Sequence, residues 1–135
     1  METEDEEDIL AEYVDESREH LAHIERVFTE IQKTGEVPPG VINDLFRAIH
    51  TIKGSSSFLG LTNIGTLAHA MESLLDSMRE HRLLLMEQTM MEQIVSAFLE
   101  STDALNDMFD DITKSNDLDV SELVDLLKYL NSDNK

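Results

Sequence analysis

Five histidines, His20, His23, His50, His69 and His81, are the side chains best suited to chemistry in this sequence. There is no cysteine, which excludes thiolate nucleophiles, thiolate metal ligands and disulfides. A di-iron bundle asks for Glu-x-x-His on two helices. The residues three before the histidines are Ser17, His20, Arg47, Thr66 and Met78, so that site is disfavoured. His20 and His23, at i and i+3, could in principle share a metal, but with acids around them they read as solvated surface residues. His81 stands beside Arg79 and Arg82 at the end of a helical stretch, where cations favour the helix dipole.

His50 differs in the company it keeps. At 100° per residue it lies roughly 130° from the centre of its own segment's apolar face, near Leu45, Ile49 and Ser56, and is therefore expected to be exposed. Phe46, His50, Lys53, Gly54 and Ser57 fall at i−4, i, i+3, i+4 and i+7 and make one stripe beside the core seam. A glycine in mid-helix costs about 1 kcal/mol relative to alanine. Gly54 therefore suggests that something must come close to the helix there. An exposed imidazole has a free ring nitrogen at pH 7 and can attack phosphorus. Phosphoryl transfer asks mainly for positioning and for positive charge near the oxygens, which Lys53 could supply.

A carboxylate on the other ring nitrogen would fix the tautomer. His69 and Glu72, i and i+3 on the next segment, could be presented to His50 by an antiparallel neighbour, although spacing alone does not establish that contact. On residue type alone each candidate also has a plain reading. An exposed histidine is commonly ordinary surface, Lys53 a solvated flank, and Glu72 a helix-surface charge in an acidic chain.

The elements that must position these residues follow from scarce punctuation: two prolines and five glycines in 135 residues. From about Glu6 to Lys33, Ile9, Leu10, Tyr13, Val14, Leu21, Ile24, Val27, Phe28 and Ile31 recur with helical period, a rod of roughly 40 Å. Gly35 stops it, and Pro38-Pro39-Gly40 makes the connection. The second piece, about Gly40 to Leu59, is expected to end in a left-handed cap at Gly60. The third runs from about Asn63 to Arg82, with Thr62 or Asn63 as N-cap. The fourth starts at a capping box, Thr89 with Glu92, and the short fifth is capped by Ser121. No segment alternates with period two. These segments predict an all-α, antiparallel up-and-down four-helix bundle over residues 1–113, with a short fifth helix as an appendage or the start of a linker over 114–135.

Composition narrows the partners. Ten basic residues against 29 acidic give a net charge of −19, which opposes nucleic acid and anionic membranes alike. The first eight residues hold six acids and no basic leader, and the longest leucine-rich run, Leu83 to Met86, is far short of a bilayer span. The expectation is a soluble cytoplasmic protein without membrane insertion, and no dimer seam is evident, so a monomer.

The run from Leu45 to Gly60, with its His50-Thr51-Ile52-Lys53-Gly54 core, and the Leu67-Ala68-His69-Ala70-Met71-Glu72 run closely resemble histidine phosphotransfer (HPt) domains. The likeness is to the N-terminal phosphoacceptor domain of CheA-type chemotaxis histidine kinases in particular. That resemblance implies that His50 is phosphorylated by the ATP-binding kinase domain of a histidine kinase and passes the group to an aspartate of a response regulator, CheY-like or CheB-like. It implies that Glu72 holds the tautomer, that Lys53 and His69 complete the polar network, and that Gly54, with Ser57 beside it, lets partners approach. No cofactor is expected in this domain, since ATP and Mg would be bound by the kinase domain, and no Gly-rich phosphate loop is present. Ser55-Ser56-Ser57 depart from relatives with glycine or alanine there, a bulkier edge that would bear on which partner docks. Rival readings are a stand-alone or hybrid-kinase HPt protein, a phosphorylation-independent adaptor, and a metal-binding bundle.

Overall fold

The structure is a computed structural model that describes residues 2–79 and 88–133. His81, Arg82 and the Leu83–Met86 run lie outside the described residues. Five α-helices are described: α1 (Glu2–Thr34), α2 (Val41–Phe58), α3 (Thr62–Arg79), α4 (Gln88–Asp110) and α5 (Ser121–Asp133), with a 3-10 turn (Ile112–Asp117) before the last. No strand occurs among the described residues.

Each helix buries the stripe its spacing marks out. On α1 the inward positions Tyr13, Ser17, Leu21, Ile24, Phe28 and Ile31 are separated by four or three residues, a heptad-like seam. Ile9, in phase by sequence, stays exposed. Phe28 stacks on Phe98 of α4 at a centroid distance of 4.5 Å, and the Tyr13 ring meets Phe109 of α4 edge-on at 5.6 Å. The Tyr13 hydroxyl donates to the Ile52 carbonyl of α2 at 3.0 Å, and burial pushes its phenol up to about 12. One tyrosine thus joins three helices. Helix α3 is buried over a broad face, because α2, α4 and α5 all pack against it.

The turn from α2 into α3 forms as its glycine predicts. Gly60 has φ of +72°; its N–H reaches the Ser57 carbonyl at 3.3 Å and that of Leu61 reaches Ser56 at 2.9 Å, a Schellman closure. The start of α3 is capped from elsewhere. Asn63 stands inside the helix, and its N–H donates to Asn116 Oδ1 at 3.2 Å. Asn63 Nδ2 donates to the carbonyls of Ser115 and Leu118, and Asn116 Nδ2 donates to that of Gly60 at 3.0 Å. A partner 53 residues downstream in effect supplies the cap, which no local pattern could reveal.

Three other expectations change. Helix α4 is already formed at Gln88, so Thr89 lies within it rather than capping it, and Glu92 accepts from Gln88 Nε2 at 3.5 Å. Ser121 is not its own cap: both its N–H and its hydroxyl donate to Asp119 Oδ1, at 2.9 and 2.6 Å. Those two bonds hold the Asp119 carboxyl below the usual range. The fifth helix is no appendage. Val120, Val124, Leu127 and Leu130 are buried against α3 and α4, and each aliphatic side chain so buried is worth about 1.5–3 kcal/mol.

Helices α2 and α3 lie close together where Gly65 faces Ser56. A Cβ on Gly65 would lie 2.8 Å from Ser56 Oγ. That hydroxyl is fully buried and donates to the Lys53 carbonyl at 2.6 Å, so it cannot swing aside without losing its bond. Ser56 is therefore part of the helix–helix seam and not of an outer edge. Gly65→Ala is expected to destabilise by about 1–2 kcal/mol in urea unfolding, overpacking outweighing the helix propensity gained. In a Ser56→Ala background only the Ser56 Cβ at 3.7 Å remains, and the same change becomes neutral or stabilising. An equal loss in both backgrounds would reject the close approach.

Candidate functional site

The outward face of α2 and the flank of α3 meet at one carboxylate. Glu72 is 8% exposed, and its two oxygens are taken by α2 side chains: Oε2 by His50 Nδ1 at 2.5 Å and Oε1 by Lys53 Nζ at 2.7 Å. His50 and Lys53 are one helical turn apart, which lets both reach the same group on the neighbouring helix. Burial alone would push Glu72 up, but the hydrogen bonds and charges of Lys53 and His50 together hold it below the usual carboxylate range. The contact that sequence spacing left open is made.

This arrangement determines the state of the imidazole. An ionised carboxylate only accepts, so Nδ1 carries a ring hydrogen, and in the neutral ring the lone pair is therefore on Nε2. The His50 side chain is 60% exposed, and Nε2 has no hydrogen-bond partner among the described residues. The ring is also held by its face. Phe46, one turn earlier, stacks nearly parallel at 11° with centroids 5.9 Å apart, and the Arg79 guanidinium lies over the Phe46 ring at 3.9 Å. Arg79 is fixed in turn by Asp76 Oδ1 at 2.8 Å and Asn43 Oδ1 at 3.2 Å. Phe46 was legible as an i−4 neighbour of His50; Arg79, read from sequence as a dipole-favoured cation, is a clamp that only the α2–α3 packing reveals.

The remaining candidates sit around this core at different distances. His69 is exposed, and its Nδ1 lies 3.9 Å from Glu72 Oε1, beyond hydrogen-bond reach of the oxygen that Lys53 occupies. Gly54 and Ser57 are exposed, and a Cβ on Gly54 would meet nothing within 4 Å. Internal packing therefore does not require that glycine. His20 and His23 are half-buried on α1. No group of three or more metal-ligating side chains occurs among the described residues.

Comparison with known proteins agrees with the geometry. The family model described as Hpt domain matches residues 8–115. The chemotaxis protein CheA of Listeria monocytogenes is 30% identical over 100 residues, 74% of this chain, and that of Rhizobium meliloti is 30% identical over 118 residues, 87% of it. The chain spans 15% of the length of each. A gliding motility regulatory protein of Myxococcus xanthus is 30% identical over 108 residues, 80% of this chain and 13% of its own length. Among solved structures, the phosphorylated P1 domain of CheA3 in complex with CheY6 from R. sphaeroides superposes with a TM-score of 0.78 at 27% identity, covering 95% of this chain and 98% of that one.

The depressed Glu72 value has a pH consequence. The folded state binds this proton more weakly than the unfolded chain. Its stabilisation is therefore fully present above the ordinary carboxylate range and is lost as pH falls through the folded value. Carbon-detected NMR should give a Glu72 midpoint below that range, and Lys53→Met should move it upward as burial becomes the stronger influence. A midpoint indifferent to Lys53 would contradict the ion pair.

Proposed function

The chain belongs to the Hpt domain family, and we propose that within it His50 is the phosphoacceptor and phosphodonor of a two-component phosphorelay. One observation carries the reading: His50 gives Nδ1 to a buried carboxylate and turns its other nitrogen outward on an exposed ring, beside a helix face left bare at Gly54. The CheA relatives and the P1 neighbour support a CheA-type parent.

In the loading step the Nε2 lone pair attacks the phosphorus of a phosphodonor delivered by a kinase domain. The N–P bond forms as the P–O bond to the leaving group breaks, with the electron pair going to the leaving oxygen. The neutral imidazole becomes an imidazolium, and Glu72 stabilises that new charge through the Nδ1–H. Lys53, one turn from the ring, adds positive charge near the phosphoryl oxygens. In the unloading step a carboxylate oxygen of a response regulator's aspartate attacks phosphorus. The N–P bond breaks, and its electron pair returns to Nε2. Phe46 and Glu72 keep the ring still through both steps, one at its face and one at its edge.

Loading needs nucleotide and metal chemistry that a separate kinase domain would bring, so this chain acts as substrate and donor. The CheY in the neighbour's complex supports a CheY-like receiver as the second partner, with a CheB-like receiver as another candidate. No helix described here is long and apolar enough to cross a membrane, which agrees with the proposed cytoplasmic setting.

Incubation with a CheA kinase core and ATP is expected to place acid-labile, base-stable phosphate on this chain. His50→Gln should abolish it; labelling that survives would reject the assignment. Glu72→Ala should slow labelling at least tenfold with helical circular dichroism retained, and an unchanged rate would remove Glu72 from the mechanism. Gly54→Ala separates access from stability: it should raise stability by about 1 kcal/mol, as a methyl in open space on a helix does, while slowing transfer to a receiver. A faster or unaltered transfer would show that the bare face is not a docking requirement.

A further inference from the structure

Beside the His50 face, α2, α3 and α5 border an open groove of about 500 Å3. Lys53, Gly54, Ser57, Thr66 and His69 line it from α2 and α3, and Lys128 reaches it from α5. Thr62 adds a third hydroxyl to those of Ser57 and Thr66, and none of its lining residues is an aspartate or glutamate. In a chain with 29 acidic and only 10 basic residues this is a local inversion of the surface. The groove along α1 carries Glu30 and Glu36 beside Arg26, the one between α4 and α5 carries Glu92, and a third, at residues 35–43 with Met78, Arg79 and Met91, has Arg79 as its charged lining residue, already held by Phe46, Asp76 and Asn43. Lys53 is already committed to Glu72. Lys128 is exposed and forms no ion pair among the described residues.

We propose that this groove receives the carboxylate-bearing acceptor side of the response regulator, and that Lys128 is a docking residue which α5 adds to the His50 site. The inference rests on the reading of His50 as a donor to an aspartate. An acceptor carboxylate must come up to a phosphoryl group that is itself negative, and like charges at a few ångströms repel by several kcal/mol at intermediate dielectric. Lysines along the approach offset that repulsion and steer the encounter. A nucleotide triphosphate is also anionic, but the solved complex of the similar P1 domain is with CheY6, which favours a receiver domain as the occupant.

Calorimetric titration of the unphosphorylated chain with a CheY-type receiver domain tests the groove without relying on phosphorylation. At low ionic strength Lys128→Glu is expected to weaken binding at least fivefold and Lys128→Ala about twofold, with a flatter salt dependence for both. Lys114→Glu makes the same change in net charge from the 3-10 turn, outside the groove, and should alter affinity less than twofold. His50 labelling by a kinase core should stay within twofold in Lys128→Glu. Receiver affinity unchanged by Lys128→Glu, or weakened equally by Lys114→Glu, overturns the proposal. Slower labelling with receiver affinity intact assigns the groove to the kinase and overturns it too. Absence of labelling in the unsubstituted chain would instead defeat the phosphoacceptor reading, leaving the receiver titration to judge the groove.

Discussion

A carboxylate buried between two helices is costly unless donors meet both of its oxygens, and Glu72 is the group on which this molecule makes that commitment. Its two partners come from one face of α2, so the charge can be buried only if α2 and α3 lie at one register and one separation. Displacing either helix by a turn would strand the charge. The same requirement that organises the helix pair also orients the imidazole, so fold and site depend on a single electrostatic debt.

Packing around that point follows from it. To let Lys53 and His50 reach across, the backbones must come close, and at Gly65 opposite Ser56 the seam has no room for a further methyl. On the other side of His50 the seam is filled by Phe46 and closed by Arg79, whose guanidinium is anchored on both helices, to Asn43 of α2 and Asp76 of α3. The imidazole is thus held along one edge and one face, while its remaining edge faces outward. Preorganisation of this kind limits the reorganisation needed when charge develops on the ring.

Much of this was legible in the sequence where the cause is local. Apolar periodicity marked the helices, and Gly60 marked a left-handed turn. The His50 stripe was readable because i−4, i+3, i+4 and i+7 are neighbours on any helix. What escaped depends on contacts between distant residues. Gly65 looks like any helix-weakening glycine until Ser56 is placed against it. Asn63 looks like an N-cap until Asn116, 53 residues away, is found accepting its N–H. Length and position made α5 look peripheral, although Val120, Val124, Leu127 and Leu130 carry the spacing of a core stripe, and its outer face brings Lys128 to the groove. The bond between Glu72 and His50 was legible as a possibility; only the bundle makes it a fact.

The hydroxyl bond from Tyr13 to the Ile52 carbonyl gives the molecule an optical property as well as a mechanical one. The chain has no tryptophan and two tyrosines. One of them is sealed among α1, α2 and α4, its hydroxyl on a backbone carbonyl two residues from His50. Near-ultraviolet dichroism from that ring therefore senses the core directly beneath the helix that carries His50, so the chain carries its own chromophore at the place where a change in the seating of α2 would be felt first.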